Sequence, residues 1–273
     1  MAQREWVPLD VDVSVPSMAR TYDFMLGGAH NFAVDREVGE RIERAMPGLR
    51  NAARVNRAFL GRVVRFMADQ GIRQFLDIGS GIPTVANVHE VAQARDPECR
   101  VVYVDRDPVA VAHSELILAG NDRAAVLHAD MRDPEGILSS PEVRGLIDLD
   151  QPVGLLMLLM LHWVPDESDP VGLMARYCAA LAPGSHLAIT HVSGDHQGEK
   201  LSEATDVIKR SNSPDQVTLR THAQVTALFA GLELVEPGLV GCGEWRPRGP
   251  GDIAGEPGMN MLVYAGVGRK PSA

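Results

Sequence analysis

Along the first 70 residues, apolar positions recur at helical spacing. Val55, Phe59, Val63, Phe66 and Met67 fall three and four residues apart, on one face of a helix predicted over 51–69 and closed by Gly71. Asp35 is the expected cap of a helix over 36–45 that Pro47-Gly48 ends, and a short helix over 19–26 runs into Gly27-Gly28. After Gly71 the period changes. Short apolar runs at 74–78, 101–104, 125–129, 153–158 and 187–191 alternate with helical stretches. The fourth run is apolar almost throughout, as expected for a strand buried on both faces. Asp107 and Pro108 mark the start of the helix after the second run. This alternation predicts right-handed βαβ units around a parallel sheet.

Two further strands, over about 232–235 and 261–267, enclose a segment rich in Gly and Pro that reads as the loop of a hairpin excursion. The expected fold is α/β: a Rossmann-like doubly wound sheet, mostly parallel, with a C-terminal antiparallel hairpin and a helical N-terminal extension. Residues 1–273 are read as one domain, with 1–70 as extension and 71–273 as core.

Charge narrows the partners. There are 26 Lys and Arg against 36 Asp and Glu, a formal net charge of −10, which argues against nucleic acid or an anionic membrane as partner. Cys99, Cys178 and Cys242 form no C-x-x-C pair, so neither a disulfide framework nor a cysteine-rich zinc site is expected. The start, Met1 to Trp6, lacks the basic-then-apolar pattern of a signal peptide, and the longest apolar run, 153–161, is too short to cross a bilayer. The expectation is a soluble cytoplasmic protein.

In such a sheet, ligands bind outside the carboxyl ends of the strands. The first strand runs into Asp77-Ile78-Gly79-Ser80-Gly81-Ile82-Pro83-Thr84. Two glycines two apart allow a tight turn and close approach of a ligand to the backbone. A dinucleotide fingerprint wants a third glycine where Thr84 stands. Asp77 beside the turn suits a cationic group such as an ammonium better than a pyrophosphate. Asp105, ending the second strand, is placed to take a ribose diol, and Asp130, ending the third, to accept from an adenine amine. Arg106, Met131 and Leu158 adjoin these strand ends and complete the expected cofactor contacts. A ligand with a ribosyl adenine, a cationic amino acid end and no phosphate is S-adenosylmethionine. The alternative is that these acids cap helices or turns, the role expected of Asp107 and Asp133.

The stretch 74–108 (QFLDIGSGIPTVANVHEVAQARDPECRVVYVDRDP), with Ala129-Asp130-Met131-Arg132-Asp133-Pro134, resembles class I S-adenosylmethionine-dependent methyltransferases. More narrowly, the chain resembles a bacterial family of S-adenosyl methyltransferases. That family's opening motif is matched by Arg20-Thr21-Tyr22-Asp23, Leu26-Gly27-Gly28, Asn31 and Asp35-Arg36. Gly184-Ser185 through His191 and Gly266-Val267-Gly268-Arg269-Lys270 match as well, so the resemblance covers nearly the whole chain. It implies S-adenosylmethionine as cofactor, with S-adenosylhomocysteine as product. It also implies an N-terminal lid hinged at Gly27-Gly28, with Tyr22 reaching the donor and Asn31, Asp35 and Arg36 facing the acceptor. The alternative is that Asp35 only caps its helix and Arg36 is a solvated charge. Asn56 and Arg57 also match the family, Arg57 with the alternative of facing water.

Methyl transfer to a hydroxyl needs a base. Leu161-His162-Trp163-Val164-Pro165-Asp166-Glu167 is similar to the L-H-D-W-x-D-E stretch of small-molecule O-methyltransferases, whose His deprotonates the acceptor. Here Trp163 follows His162 directly. His191 is the second candidate base, on one strand face with Leu187 and Ile189. For each, the alternative is a packed structural histidine. No metal is expected, because His191, Asp195 and His196 match no standard ligand spacing. The [Asn/Asp]-Pro-Pro-aromatic motif of nucleic-base methyltransferases is absent after the fourth strand, which again argues against DNA or RNA. The expected activity is methyl transfer to a small molecule, at a hydroxyl or an amine, with oxygen favoured over nitrogen. The rivals are an S-adenosylmethionine-binding sensor or partner subunit without turnover, and an NAD-dependent oxidoreductase. The acceptor pocket is expected from the N-terminal segment, the stretch after the fourth strand and a polar loop over 194–214. No oligomeric state follows from the sequence.

Overall fold

The computed structural model describes residues 8, 11–84, 86–196, 198–211 and 213–272, so Met1 to Trp6 lie outside the described residues. Three helices come first: α1 (Met18–Leu26), α2 (Ala33–Ala45) and α3 (Leu49–Asp69). α2 begins before the expected 36 because Asp35 is inside it. The Asp35 carboxylate reaches back and accepts from the Phe32 N–H at 2.8 Å, as the third residue of a capping box does. The end of α3 is as expected. Gly71, at φ +91°, lets its own N–H reach the Ala68 carbonyl and the Ile72 N–H reach that of Met67, a Schellman closure.

Strands and helices then alternate: β1 (Gln74–Ile78), α4 (Val88–Gln93), β2 (Arg100–Asp105), α5 (Pro108–Leu118), β3 (Ala124–His128), α6 (Pro134–Ser139), α7 (Pro141–Leu146), β4 (Gly154–Leu158), α8 (Pro170–Ala180) and β5 (His186–Val192). Proline opens α5, α6, α7 and α8, where its missing N–H is no loss. Asp107 and Asp133 cap as expected, accepting from the N–H groups of Val109 and Gly136. The remaining elements are α9 (Gly198–Lys209), α10 (His222–Ala227), β6 (Glu233–Leu234), β7 (Val240–Gly241), α11 (Pro257–Met261) and β8 (Val263–Arg269).

The sheet runs β3-β2-β1-β4-β5-β8-β6, with β7 also paired to β8. The first five strands are parallel, and every pair involving β8 is antiparallel. Strand order reverses between β1 and β4, so the crevice expected for a ligand lies at their carboxyl ends. Alternation along each strand sorts the core into two layers. Phe75, Val101, Tyr103, Leu156 and Ala188 pack with Phe59, Val63 and Met67 of α3. Leu76, Val102, Leu155, Leu187 and Ile189 pack with α6, α7 and α8 on the other face. Each fully buried side chain of this size contributes about 1.5–3 kcal/mol.

Two expectations need correction. The stretch 194–214, read as a polar loop, contains α9, which buries Leu201, Ala204, Thr205 and Ile208 and packs against α2. β8 starts at Val263 rather than 261, because Met261 ends α11 within the breaker-rich segment. Among the described residues, no helix is long and apolar enough to cross a membrane.

Candidate active site

At the carboxyl ends of β1, β2 and β4 lies a cavity of about 700 Å3, walled on the opposite side by α1, α2, α3 and α9. Its size falls in the range of about 300–1,000 Å3 usual for small-molecule sites. The turn after β1 needs both of its glycines, since Gly79 stands at φ +71° and Gly81 at φ +66°. The Gly79 N–H donates to the Val104 carbonyl at 2.7 Å and the Ser80 N–H to the same oxygen at 3.1 Å, which ties the turn to β2. A Cβ on Gly79 would run into Met160, whereas one on Gly81 would meet open space. Ser80 Oγ is buried at the cavity wall without a hydrogen-bond partner among the described residues.

The three strand-end acids differ in state. Asp77 is 5% exposed, and burial pushes its carboxyl up to about 7, against the pull of the Arg57 guanidinium. Asp105 accepts from the N–H groups of Gly81 at 2.7 Å and Asp107 at 2.8 Å, and burial still raises it to about 6. Asp130 is held below its ordinary value by Arg132, whose Nε and backbone N–H both donate to it at 2.9 Å. Met131, Leu158 and Arg106 also line the cavity, and the Arg106 guanidinium pairs with Asp215.

Tyr22 lines the cavity with its hydroxyl committed to the protein. It donates to the Ala53 carbonyl at 3.1 Å and accepts from Asn56 Nδ2 at 3.0 Å. Asn56 Oδ1 in turn accepts from Thr190 Oγ1 at 2.8 Å, so a polar chain stitches α1 and α3 to β5. Burial pushes the Tyr22 hydroxyl up to about 12. Arg57 also reaches the cavity, donating to Asn87 Oδ1 at 2.8 Å, and so does not simply face water.

His162 sits in a single turn, Leu161–Trp163, just after β4. It lines the cavity yet is only 4% exposed, with its ring centroid 4.3 Å from that of Trp163. Among the described residues its buried Nδ1 finds no hydrogen-bond partner. Burial, with His191 and Arg220 nearby, holds the imidazole well below its ordinary pKa, so it is neutral at neutral pH.

The family model described as S-adenosyl methyltransferase matches residues 4–271. The chain belongs to the S-adenosyl methyltransferase family. A DUF574-family protein from Streptomyces avermitilis is 40% identical, with TM-score 0.91 over 95% of this chain and 99% of its own. A candidate methyltransferase from Thermobifida fusca is also 40% identical, with TM-score 0.91 over 98% of this chain and 100% of its own. An O-methyltransferase family protein from Burkholderia thailandensis shares the fold at 14% identity, with TM-score 0.52 over 84% of this chain and 62% of its own. No protein of curated function matches the chain. This S-adenosyl methyltransferase is therefore an enzyme whose cofactor is S-adenosylmethionine, carried on the class I methyltransferase fold.

Within this methyltransferase, four expected site residues lie away from the cavity. His191 is fully buried, and its position is a correction to the expected cleft placement. Its Nδ1 lies 2.8 Å from the Val192 carbonyl, which can only accept, so that nitrogen carries the hydrogen. Nε2 then accepts from Arg220 at 3.0 Å, which leaves neither nitrogen for a substrate. Burial lowers His191 to about 4. Asn31, Asp35 and Arg36, expected to face the acceptor, instead brace one another and the helix ends. Asn31 donates to Asp23 and accepts from Arg36, while Asp35 accepts from the N–H groups of Ser17 and Phe32 and pairs with Arg20 at 3.4 Å. Gly28 lies tight against the Asp23 carboxylate, where no side chain would fit.

Arg220 escaped the sequence reading. It is 2% exposed and donates to the carbonyls of Leu161 and Val164, to Asp166 and to His191. It thereby fixes the turn that carries His162 from below. No periodicity or motif marks a lone arginine whose partners lie 29 to 59 residues away.

Proposed function

We propose that this enzyme transfers the methyl group to a hydroxyl of a small-molecule acceptor, with His162 as the base. The observation that carries this is the position of His162, a neutral imidazole on the wall of the same cavity as the strand-end acids. The residues present fit the cofactor. A ligand can approach the backbone closely at Gly81, and the unpartnered Ser80 Oγ can serve its polar groups. Asp77 would take the ammonium and the adjacent Arg57 the carboxylate of the amino acid end. Asp105 would take the ribose diol with the lone pairs its backbone bonds leave, and Asp130 with Met131 the adenine. Leu158 and the Gly79-Ser80-Gly81 turn would shape the floor.

When bound, S-adenosylmethionine supplies a methyl group already activated by its sulfonium, so the protein has to align the acceptor and take its proton. His162 is suited to the second task. One nitrogen of a neutral imidazole is free to accept a proton, and the turn bearing it is immobilised by Arg220. Titration calorimetry with S-adenosylhomocysteine, with NADH in a parallel cell, tests the donor side. Micromolar binding of the thioether with no heat from NADH is expected, and the reverse would overturn the assignment of donor contacts. With phenols and alcohols screened for mass gain, His162→Gln should lower kcat about 100-fold or more at unchanged thioether affinity. Full turnover in that variant would refute the base.

A further inference from the structure

The cavity wall divides sharply by chemistry. Its charged groups gather on the strand-end side or are engaged by the protein: Arg132 with Asp130, Arg106 with Asp215, Arg20 with Asp107 and with Asp35 behind it, Arg57 with Asn87, and Asp12 with Ser14. The wall built by α1, α2, α3, α9 and the residue before β8 carries Met25, Ile42, Leu60, Leu201, Ile208 and Leu262, all less than 9% exposed. The polar side chains on those elements are Arg20, Thr21, Tyr22, Asn56, Arg57 and Thr205; Arg20 pairs with Asp35 and Asp107, Arg57 donates to Asn87 at the edge beside Asp77, and Thr21 Oγ1 donates to the Ser17 carbonyl. Each is engaged by the protein. Tyr22 donates to Ala53, Asn56 joins Tyr22 to Thr190, and Thr205 Oγ1 donates to the Ser202 carbonyl at 2.8 Å.

This matters for what can enter. Against the part of this wall formed by Met25, Ile42, Leu60, Leu201 and Ile208 a charged acceptor would shed its water and gain no counter-charge, since Arg20 and Arg57 are already engaged at the strand-end edge, and a polar one would find its hydrogen-bonding partners already engaged. An aliphatic amine reaches the cavity as a cation and meets the same penalty. A neutral hydroxyl on an apolar body does not, since the body replaces water against Met25, Ile42 and Ile208 and the hydroxyl needs only His162.

We infer that the acceptor is an uncharged molecule with an apolar body that presents one hydroxyl to His162. The inference deepens the proposed function and rests on it for the position of the hydroxyl; the apolar character of the body stands on the wall alone.

The test uses the full-length protein saturated with S-adenosylhomocysteine and two probes that differ by one charge, 2-naphthol and 6-hydroxy-2-naphthoate, titrated by calorimetry. The neutral probe should bind at least about tenfold more tightly than the carboxylate. Ile208→Asp, which places a charge in the apolar wall, should weaken 2-naphthol at least about tenfold and leave thioether affinity within about twofold. Ala204→Leu fills the same space without a charge or a loss of helix propensity, and should weaken it as well. Absence of 2-naphthol binding, equal or tighter binding of the carboxylate, or indifference to both variants would overturn the inference. The two proposals fail separately. His162→Gln that retains 2-naphthol binding and full turnover refutes the base and supports the apolar site. His162→Gln that loses turnover on another acceptor, in a protein whose parent ignores 2-naphthol, refutes the apolar site alone.

Discussion

At the carboxyl ends of β1, β2 and β4 the cavity wall is rich in backbone and carboxylate; across from it, α1, α2, α3 and α9 present mainly Met, Leu, Ile and Ala side chains, with Arg20 and Arg57 at the edge toward the strands. On the first side each polar atom is placed by local chain geometry, so one residue sets the position of several others. Asp105 is the plainest case, holding the glycine turn through Gly81 and the start of α5 through Asp107. On the second side no single contact dominates, and apolar surface is interchangeable among helices. The contrast suggests a division in which one wall fixes a constant ligand and the other admits a variable one.

Asp105→Ala is the strongest way to break that contrast. It removes two charge-assisted bonds to backbone and the proposed ribose contact, together about 3 kcal/mol. S-adenosylhomocysteine should bind about 100-fold more weakly by calorimetry. Leu60→Ala, on the helical wall, should change thioether affinity by less than about twofold. Similar losses in the two variants would mean that the donor is not held at the strand ends.

Arg220→Ala gives the next largest effect, and it falls on stability. Removing the guanidinium strands the carbonyls of Leu161 and Val164 and the Nε2 of His191 in the interior. The contact with Asp166 counts for little, because that carboxylate is 58% exposed. Urea unfolding should show a loss of about 2 kcal/mol. Thioether affinity should stay within about twofold, since Arg220 does not line the cavity. Unchanged stability would mean that water enters to replace the arginine, leaving the turn that bears His162 without its brace.

The difference between the two walls also decided what could be read from sequence. The strand-end side was legible because a G-x-G turn and acids at strand ends are local signals, and the strands around them fell within two residues of their expected bounds. The helical wall was less so. α9 went unread beneath its charges, Glu199, Lys200, Glu203, Asp206 and Lys209, although Leu201, Ala204, Thr205 and Ile208 keep helical spacing. His191 shows a signal present but unused. Alternation puts it on the face of Leu187 and Ile189, which packs with α8, whereas α3 covers the other face. Asp35 has the cap composition but sits at the third helical position, a distinction of register that residue type alone does not make. The buried bonds of Arg220 depend on tertiary contacts that no short window contains.

The smallest effect separates the two walls by pH. Burial raises Asp77 to about 7 and Asp105 to about 6 in the donor-free protein, above the unfolded value near 3.8. The folded chain therefore holds more protons than the unfolded one between about pH 4 and 7, and these two groups make donor-free stability fall as pH rises through that window. Donor binding runs the other way. In the proposed binding mode the ammonium beside Asp77 requires the carboxylate, so below about pH 7 binding must first expel a proton. Thioether affinity should rise with pH and level off above about 7, weaker by about tenfold at pH 6 than at pH 8. Asp77→Asn should bind weakly and lose the dependence. With the donor site saturated at each pH, 2-naphthol should bind equally at pH 6 and 8, because its hydroxyl stays protonated and His162 stays neutral across that span. A matching slope for both ligands would place a titrating group in the helical wall and erase the contrast; a slope for the thioether alone would assign the titration to the strand ends.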